Sequence, residues 1–340
     1  MQNFLYQRSL LSLKDLNKFE IETVLNTAKK LKKLKKEKKE KKFLKNKKII
    51  SIFESNSTRT RCAFETSAFD QGLHITNLDI NNTHMNEKES IEDTVKVFNI
   101  MYDGIQYRGP KHEIILDIQK YAKIPVWNGL TNKFHPIQIL SDLMTIKENI
   151  KKNNHFNDIT LAYIGDCKNN IANTILEASY IIGININMIS HEKFLPNIEK
   201  IKFLSNISNK ENGKILCTEN VYKGLNNVDF IYTDTWLSMH ENYKNLGIKI
   251  KLLEKYQLNE KLLTKTNSYS AKILHCMPSI HDNNTIISKK IFKKYKIKNG
   301  LEITNDVFNS KNSLVFNQVE NKVHIIKALM LLNLKKNINL

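Results

Sequence analysis

Two arginines and three hydroxyl residues are clustered in one short segment of the chain. Beyond the apolar run Ile49–Phe53 the cluster consists, in order, of Ser57, Thr58, Arg59, Thr60 and Arg61. If a helix begins near Arg59, the unpaired N–H groups of its first turn attract an anion. Arginine forks suit phosphate or carboxylate in the same way. The segment favours an anion site, and an ordinary Ser/Thr helix cap beside a surface arginine is the alternative.

Two further segments offer donors for an anion or a carbonyl group. Arg108 directly follows a strand-like run, where its guanidinium could contact an anion or simply lie at the surface. His135 and Gln138 flank the start of a predicted helix at Pro136, and together they offer an imidazole and an amide to a planar group. Because a lone histidine is as often structural, the spacing alone leaves the role of His135 open.

Polar side chains also end three strand-like runs in the second half of the chain. Asn169 and Asn170 follow the first run and could bind a polar ligand or cap a helix. Asp234 follows the second run and could hold a cationic amine or form a turn. Cys276 ends the third, either as a thiol at the edge of a sheet or as a buried structural residue.

The elements that carry these segments alternate regularly between strand and helix. Short apolar runs separated by helical patterns predict βαβ units and mainly parallel sheets, an α/β fold. In such sheets ligands bind beyond the carboxyl ends of the strands, which is where all the segments above lie. The polar patch at Lys151–Asp158 predicts two doubly wound domains, at residues 1–150 and 151–312, followed by a long helix within 313–340.

Cofactor motifs are missing from the sequence. The turn after the run Ile159–Ile164 contains Gly165 but no G-x-G-x-x-G, and no phosphate loop of the Walker type occurs. The four cysteines are far apart and form no C-x-x-C pair, which argues against a structural zinc site or a disulfide framework. We therefore expect neither a metal nor an organic cofactor.

The net charge of +19 on 340 residues is typical of a nucleic-acid-binding protein, but its distribution argues otherwise. Between Lys29 and Lys48 there are 13 lysines and two glutamates, so more than half of the excess lies in one stretch outside every motif. We interpret this stretch as a solvated helix end and loop, with a nucleic-acid surface as the alternative. Only four arginines occur, and we expect them where a planar, bidentate group is required.

The sequence also predicts the compartment. No run approaches the roughly 18 apolar residues of a membrane span. The N-terminal residues lack the apolar core and cleavage site of a secretory signal. We therefore expect a cytoplasmic protein without membrane contacts, with its cysteines reduced.

In order along nearly the whole chain, six segments resemble motifs of the aspartate/ornithine carbamoyltransferase family. The segments Ser57–Arg61 and His135–Gln138 look like the two motifs that bind carbamoyl phosphate and are shared by both branches. The ornithine branch is indicated by four further segments, at Tyr102–Gly109, Asp234–Met239, His275–Pro278 and Val315–Asn321. The resemblance implies two parallel α/β domains, the last helix crossing back to the first, and a homotrimer.

The implied reaction transfers the carbamoyl group of carbamoyl phosphate to the δ-amine of L-ornithine, giving L-citrulline and phosphate. The place in metabolism that the resemblance implies is arginine biosynthesis, with a catabolic role as the alternative. Within the family, transfer to another amine such as putrescine is the alternative. Outside it, the alternative is a lysine-rich nucleic-acid-binding or non-catalytic protein.

The resemblance also assigns roles to residues, with no metal. The first domain would bind carbamoyl phosphate through Ser57, Thr58, Arg59, Thr60, His84, Arg108, His135, Gln138 and Lys322. The second would bind ornithine through Asn170, Asp234, Ser238, Met239, Cys276 and Met277. The residues expected to take part in catalysis are Arg59, Arg108, His135, Asp234 and Cys276.

Four positions depart from the family pattern. Lys322 stands where the family usually has an arginine, which keeps the charge but loses the fork. His84 stands where related enzymes have a glutamine donated across a subunit interface. His240 replaces a glycine, and Lys168 replaces a common arginine. We interpret these changes as drift within a working enzyme.

Overall fold

A computed structural model describes residues 3–80, 83–85, 87–150, 155–208, 213–236 and 246–338. The chain forms two compact units, the first comprising Met1–Met144 with Val319–Leu340 and the second Thr145–Gln318. Each unit contains one parallel sheet with helices between its strands. The predicted α/β class with two parallel sheets is therefore confirmed. None of the described helices has the length and apolar character needed to cross a membrane.

The first unit has a four-stranded sheet in the order β2-β1-β3-β4. Its strands are β1 (Lys48–Phe53), β2 (His74–Asp79), β3 (Gly104–Arg108) and β4 (Val126–Leu130). The helices from this part of the chain are α1 (Lys18–Lys36), α2 (Arg59–Gln71), α3 (Ile91–Met101), α4 (His112–Tyr121) and α5 (Pro136–Asn149). The two central strands, β1 and β3, are almost wholly buried, as is typical of the inner strands of a parallel sheet.

The second unit has a five-stranded sheet in the order β7-β6-β5-β8-β9. Its strands are β5 (Thr160–Ile164), β6 (Asn185–Ile189), β7 (Ile215–Thr218), β8 (Phe230–Thr233) and β9 (Lys272–His275). The remaining helices are α6 (Asn170–Ile182), α7 (Ile198–Ser208), α8 (Val221–Leu225), α9 (Leu246–Leu253), α10 (Glu260–Lys265), α11 (Ile286–Tyr295), α12 (Asn305–Phe308) and α13 (Val315–Leu334).

The C-terminal helix α13 returns to the first unit from Val319 onward. Its residue Asn333 accepts a hydrogen bond from the Trp127 indole at 2.8 Å and donates one to the Leu5 carbonyl at 2.7 Å. Because all three groups are buried, these bonds satisfy polar atoms that would otherwise be costly to bury. The predicted return of the last helix to the first domain is confirmed.

Each sheet has one point where the strand order reverses direction. In the first unit this point lies between β1 and β3, and in the second between β5 and β8. The loops after adjacent strands on either side of such a point form a crevice in which ligands bind. Four of the predicted functional segments follow these strands, so the topology brings them together in pairs. The segments with His135 and Cys276 follow the neighbouring strands β4 and β9.

Candidate active site

The hydroxyls at the start of α2 are not used to cap the helix. The helix begins at Arg59, as predicted, and the side chain of the preceding Thr58 makes no capping hydrogen bond. The Oγ atom of Ser57 is buried, and within the described residues it has no hydrogen-bond partner. A buried hydroxyl without a partner is costly unless a ligand satisfies it. The geometry therefore favours the anion site over the ordinary cap.

Arg108 reaches this helix from the end of β3. Its Nη1 atom donates to the Oγ1 atom of Thr60 at 3.0 Å, and both side chains are buried. The contact follows from the parallel register, in which Phe53 at the end of β1 lies beside Arg108. The amide of Glu54 also donates to the Arg108 carbonyl at 2.9 Å. Arg108 thus belongs to the same crevice as the hydroxyl segment.

Lys322, on α13, completes a buried polar cluster in the first unit. Its Nζ atom lies 3.3 Å from the Thr60 Oγ1 atom and 3.1 Å from the Gln138 Oε1 atom. The amide nitrogen of Gln138 donates to Asp142 at 2.8 Å, which leaves the Oε1 atom as the acceptor on the other side. The amide is therefore oriented to accept a hydrogen bond from a ligand N–H group.

His135 lies in the same cluster as a neutral imidazole. Burial first, and then the positive charges of Lys322 and Arg108, lower the pKa of His135 well below its usual value. All of these effects disfavour the imidazolium, because it would be a third buried positive charge. A neutral imidazole can donate an N–H hydrogen bond without transferring its proton.

The structure therefore brings most of the residues predicted for the first domain together in one cluster. The buried cluster contains Thr60, Arg108, His135, Gln138 and Lys322. Arg59 is half-buried and Thr58 is exposed at the helix start. His84 is exposed, and within the described part of the chain no hydrogen bond connects it to the cluster.

In the second unit, Asn169 and Asp234 meet where the strand order reverses. Asn169 caps α6 by accepting from the Ala172 amide at 2.9 Å, and its own amide group donates to Asp234 at 3.1 Å and to the Tyr163 hydroxyl at 2.8 Å. Gly165, with φ of +123°, makes the turn between β5 and this cap. A Cβ atom there would lie 3.0 Å from the Trp236 Nε1 atom, so the turn requires glycine on both counts.

Asp234 also contacts the thiol of Cys276 at the end of β9. The Cys276 Sγ atom donates to the Asp234 Oδ1 atom at 3.0 Å. Burial raises the pKa of Asp234, and the effect is partly offset by His275, by the Cys276 thiol and by the Thr235 amide. A buried carboxylate of raised pKa holds a proton or a cation more readily than an exposed one.

A second buried carboxylate, Glu302, shapes the loop that contains Cys276. Its Oε1 atom accepts hydrogen bonds from the His275 Nε2 atom at 3.2 Å and from the Ile280 amide at 2.6 Å. The Nδ1 atom of His275 accepts from the Met277 amide at 2.9 Å. This bond holds Met277 in a left-handed backbone conformation, with φ of +54°. The loop is thus fixed by hydrogen bonds beside the Asp234–Cys276 pair.

Among the described residues, one group has the side-chain types of a metal site. The ligand atoms of Asp234, His275 and Cys276 lie within 4.8 Å of one another. Both ring nitrogens of His275 are engaged, one with Glu302 and the other with Met277. Because the imidazole offers no remaining lone pair, the group does not fit a metal ion.

The other residues predicted to bind ornithine are Asn170, Met277, Ser238 and Met239. Asn170 is the first residue of α6 and is half-buried, while the contact to Asp234 comes from its neighbour Asn169. Met277 is half-buried in the Cys276 loop. Ser238, Met239 and His240 lie outside the described residues. Sequence reasoning missed Glu302, since no local pattern links it to a histidine 27 residues earlier.

Comparison with known families identifies the class of protein that this fold and these two sites define. Residues 8–148 match the family model for the carbamoyl-P binding domain of aspartate/ornithine carbamoyltransferases, and residues 157–333 match the model for the Asp/Orn binding domain. The chain belongs to the aspartate/ornithine carbamoyltransferase family. The family resemblance found in the sequence is confirmed.

Individual relatives of the chain are ornithine carbamoyltransferases, the ornithine branch of this family. The chain is 49% identical over 334 residues to the ornithine carbamoyltransferase of Buchnera aphidicola subsp. Baizongia pistaciae, covering 98% of both chains. Among solved structures it resembles the ornithine carbamoyltransferase from Pyrococcus furiosus, with 30% identity, a TM-score of 0.83 and coverage of 97% of this chain and 98% of that one. The anabolic enzyme from Campylobacter jejuni is similar, with 31% identity, a TM-score of 0.80 and coverage of 95% and 97%.

Proposed function

We propose that the protein transfers the carbamoyl group of carbamoyl phosphate to the δ-amine of L-ornithine, giving L-citrulline and phosphate. The observation that carries this proposal is the buried cluster of Thr60, Arg108 and His135, which lies in the part of the chain matching a carbamoyl-P binding domain, with Lys322 added from α13. Buried cationic and N–H donors of this kind suit an anionic or carbonyl ligand.

The phosphate group binds at the start of α2. The Ser57 hydroxyl, the first amides of the helix and the Arg59 guanidinium supply donors, and Lys322 adds a positive charge beside Thr60. The helix dipole favours the dianion at this end. Binding the leaving group in this way also stabilises the charge it acquires as the C–O bond breaks.

The carbonyl oxygen of the carbamoyl group faces Arg108, Thr60 and neutral His135. Negative charge grows on this oxygen in the tetrahedral transition state, so preorganised donors lower the barrier more than they strengthen substrate binding. The Oε1 atom of Gln138, oriented by Asp142, accepts a hydrogen bond from the carbamoyl NH2 group.

Ornithine binds through the second unit, with Asp234 and Cys276 near its δ-amine and Asn170 among its ligands. The amine has a pKa of about 10.4 by analogy with lysine, so it must lose a proton before it attacks. Its lone pair then bonds to the carbamoyl carbon, the electrons of the C–O bond leave with phosphate, and the second proton of the attacking nitrogen passes to the departing phosphate. Asp234, whose pKa is raised by burial, is the side chain suited to hold the ammonium and receive its proton.

The experiment is a product assay with three amines. Purified protein and carbamoyl phosphate are incubated at pH 8 with ornithine, putrescine or aspartate. We expect citrulline from ornithine and little product from the others. Carbamoylated putrescine without citrulline would favour the other amine, and no carbamoylated product from any amine would contradict the proposal.

The protein is further inferred to be a homotrimer. Three apolar side chains of α3 are exposed in the single chain, at fractions of 44% for Val97, 86% for Ile100 and 53% for Met101. Association would cover them. Light scattering should give three times the 39.6 kDa mass of the chain. Substituting Ile100→Asp should shift the mass toward that of the monomer, whereas a monomeric wild type would contradict the inference.

We infer that the protein works in the cytoplasm, as its sequence predicts, and in arginine biosynthesis, as the family resemblance implies. Both substrates carry charge and require a water-filled compartment. Restored growth without arginine, in a strain lacking its own citrulline-forming enzyme, would support this role.

A further inference from the structure

A fully buried ammonium group lies beyond the candidate site on α13. The side chain of Lys327 is 0% exposed, and its Nζ atom is 2.9 Å from both carboxylate oxygens of Glu40. The same atom lies 2.5 Å from the Asp70 Oδ2 atom. A buried charge is tolerated only when such partners compensate for its lost hydration. The ion pairs of Lys327 therefore hold α13 close to the segments that contain Glu40 and Asp70.

One of these elements is α2, the helix whose start forms the candidate phosphate site. Three contacts join α2 to α13 within the first unit. Thr60 lies 3.3 Å from the Lys322 Nζ atom, the Ser67 hydroxyl donates to the Val323 carbonyl at 2.9 Å, and Asp70 pairs with Lys327. The three residues of α2 are spaced by seven and then three positions, which places them on one face of the helix.

We propose that Lys327 is a positioning residue for carbamoyl phosphate binding. By pairing with Asp70 it holds α13 against α2, so that the Lys322 Nζ atom stays beside Thr60 and Gln138. The inference rests on the proposed function, because it assigns the positioning to that substrate. Lys327 acts through Lys322 and does not itself touch the substrate.

Glu40 provides the matched control for this proposal. It pairs with the same ammonium group, but it lies in the chain between α1 and β1 and not on α2. Its Oε1 atom also accepts from the amide of Gln71, the last residue of α2, at 2.8 Å, and a glutamine oxygen at position 40 can accept the same hydrogen bond. Glu40→Gln removes one negative charge from Lys327 while it leaves the Asp70–Lys327 bridge between the helices in place.

A second control removes a competing explanation. Asp70 also pairs with Lys35 on α1, so a change at Asp70 breaks two contacts at once. Lys35→Met breaks only the pair with α1. If Asp70→Asn raised the KM for carbamoyl phosphate because its contact with α1 is lost, Lys35→Met would raise that KM as well.

The first experiment compares steady-state kinetics of Asp70→Asn with both controls. For Asp70→Asn we expect the KM for carbamoyl phosphate to rise about fivefold, because a displaced Lys322 ammonium would make a weaker hydrogen bond to this substrate. The kcat and the KM for ornithine should stay within about twofold of the wild-type values. Glu40→Gln and Lys35→Met should leave the KM for carbamoyl phosphate within the same limit. A rise of equal size in either control would overturn the proposal.

A double-mutant cycle tests whether the effect passes through Lys322. In a Lys322→Met background, Asp70→Asn should change the KM for carbamoyl phosphate by less than about 1.5-fold, because the group it positions is already absent. An undiminished fivefold rise in that background would overturn the proposal.

Direct binding separates this proposal from the proposed function. Calorimetric titration with inorganic phosphate needs no turnover, and Asp70→Asn should weaken phosphate binding by a factor similar to that seen in KM. An unchanged dissociation constant would overturn the positioning role even if the wild type makes citrulline. A wild type that makes no citrulline would instead contradict the proposed function, while weaker phosphate binding by Asp70→Asn would still support the positioning.

Discussion

The two candidate sites carry opposite charges, and burial shifts the pKa values of their titratable groups in opposite directions. In the first unit, burial and two neighbouring cations lower the pKa of His135. In the second unit, burial raises the pKa of Asp234, while His275 and the Cys276 thiol partly offset the shift. Burial always disfavours the charged form, so the sign depends on the type of group. The cationic site suits the dianionic substrate, and the acidic site suits the cationic one.

The largest expected effect is at the cationic site. Arg108→Met should lower kcat by about 10³-fold, because it removes a donor facing the oxygen on which negative charge develops. Initial rates of citrulline formation at saturating substrates measure the change. Lys133→Met, at an exposed lysine of the same unit, serves as the control and should retain full kcat. A variant of Arg108 that kept more than about a tenth of the wild-type kcat would contradict the assigned role.

A somewhat smaller effect is expected at the acidic site. Asp234→Asn should lower kcat/KM for ornithine by about 10²-fold, since general-base groups contribute roughly that much. The KM for carbamoyl phosphate should change little, because that substrate is assigned to the first unit. If both substrates were affected equally, the division of labour between the two units would be wrong. Asp229→Asn, remote from the pair, is the matched control.

The pH dependence should separate the two sites. Because the pKa of His135 is lowered well below 6.5, its neutral form persists throughout the range from pH 6 to 9. Activity at saturating substrates should therefore show no loss on the acidic side that depends on His135. By contrast, kcat/KM for ornithine should rise with pH as the amine loses its proton. An acidic limb near pH 6.5 that disappears in His135→Asn would contradict the neutral imidazole.

The smallest expected effect concerns the residue that departs from the family pattern. Lys322→Arg should lower the KM for carbamoyl phosphate by about threefold, because a guanidinium adds donors in a planar fork. Lys168→Arg, which restores another common arginine at an exposed position, provides the comparison. A KM for Lys322→Arg equal to or above that of the wild type would show that the lysine is already compensated by Thr60 and Gln138.

Much of the first unit could be predicted because its signals are local. The start of α2 at Arg59 and the strands around it follow from an apolar run, hydroxyl residues and arginines in sequence. The expectation that scarce arginines mark forked contacts also applies to Arg8, which donates to the Glu20 carboxylate and to the Asp15 carbonyl. One interpretation needs revision, since Glu40 in the lysine-rich stretch pairs with a buried lysine and is not merely solvated.

The features that escaped prediction depend on distant residues. The edge strand β7 is four residues long and only partly buried, so its sequence carries little periodic signal. Glu302 and Lys327 become informative only when the fold brings them to His275 and Asp70. Helix α6 begins at Asn170 because Asn169 provides its cap, one of the two roles that the sequence left open for these asparagines.

The central claim is that the carbamoyl group passes to the δ-nitrogen of ornithine. Carbamoyl phosphate labelled with ¹³C at the carbonyl, incubated with the protein and ornithine at pH 8, tests it directly by NMR. We expect a growing ¹³C signal of the citrulline ureido carbon, and with Arg108→Met a signal that grows about 10³-fold more slowly. Label that appears only in carbamate and bicarbonate, at the rate of the protein-free solution, would contradict it.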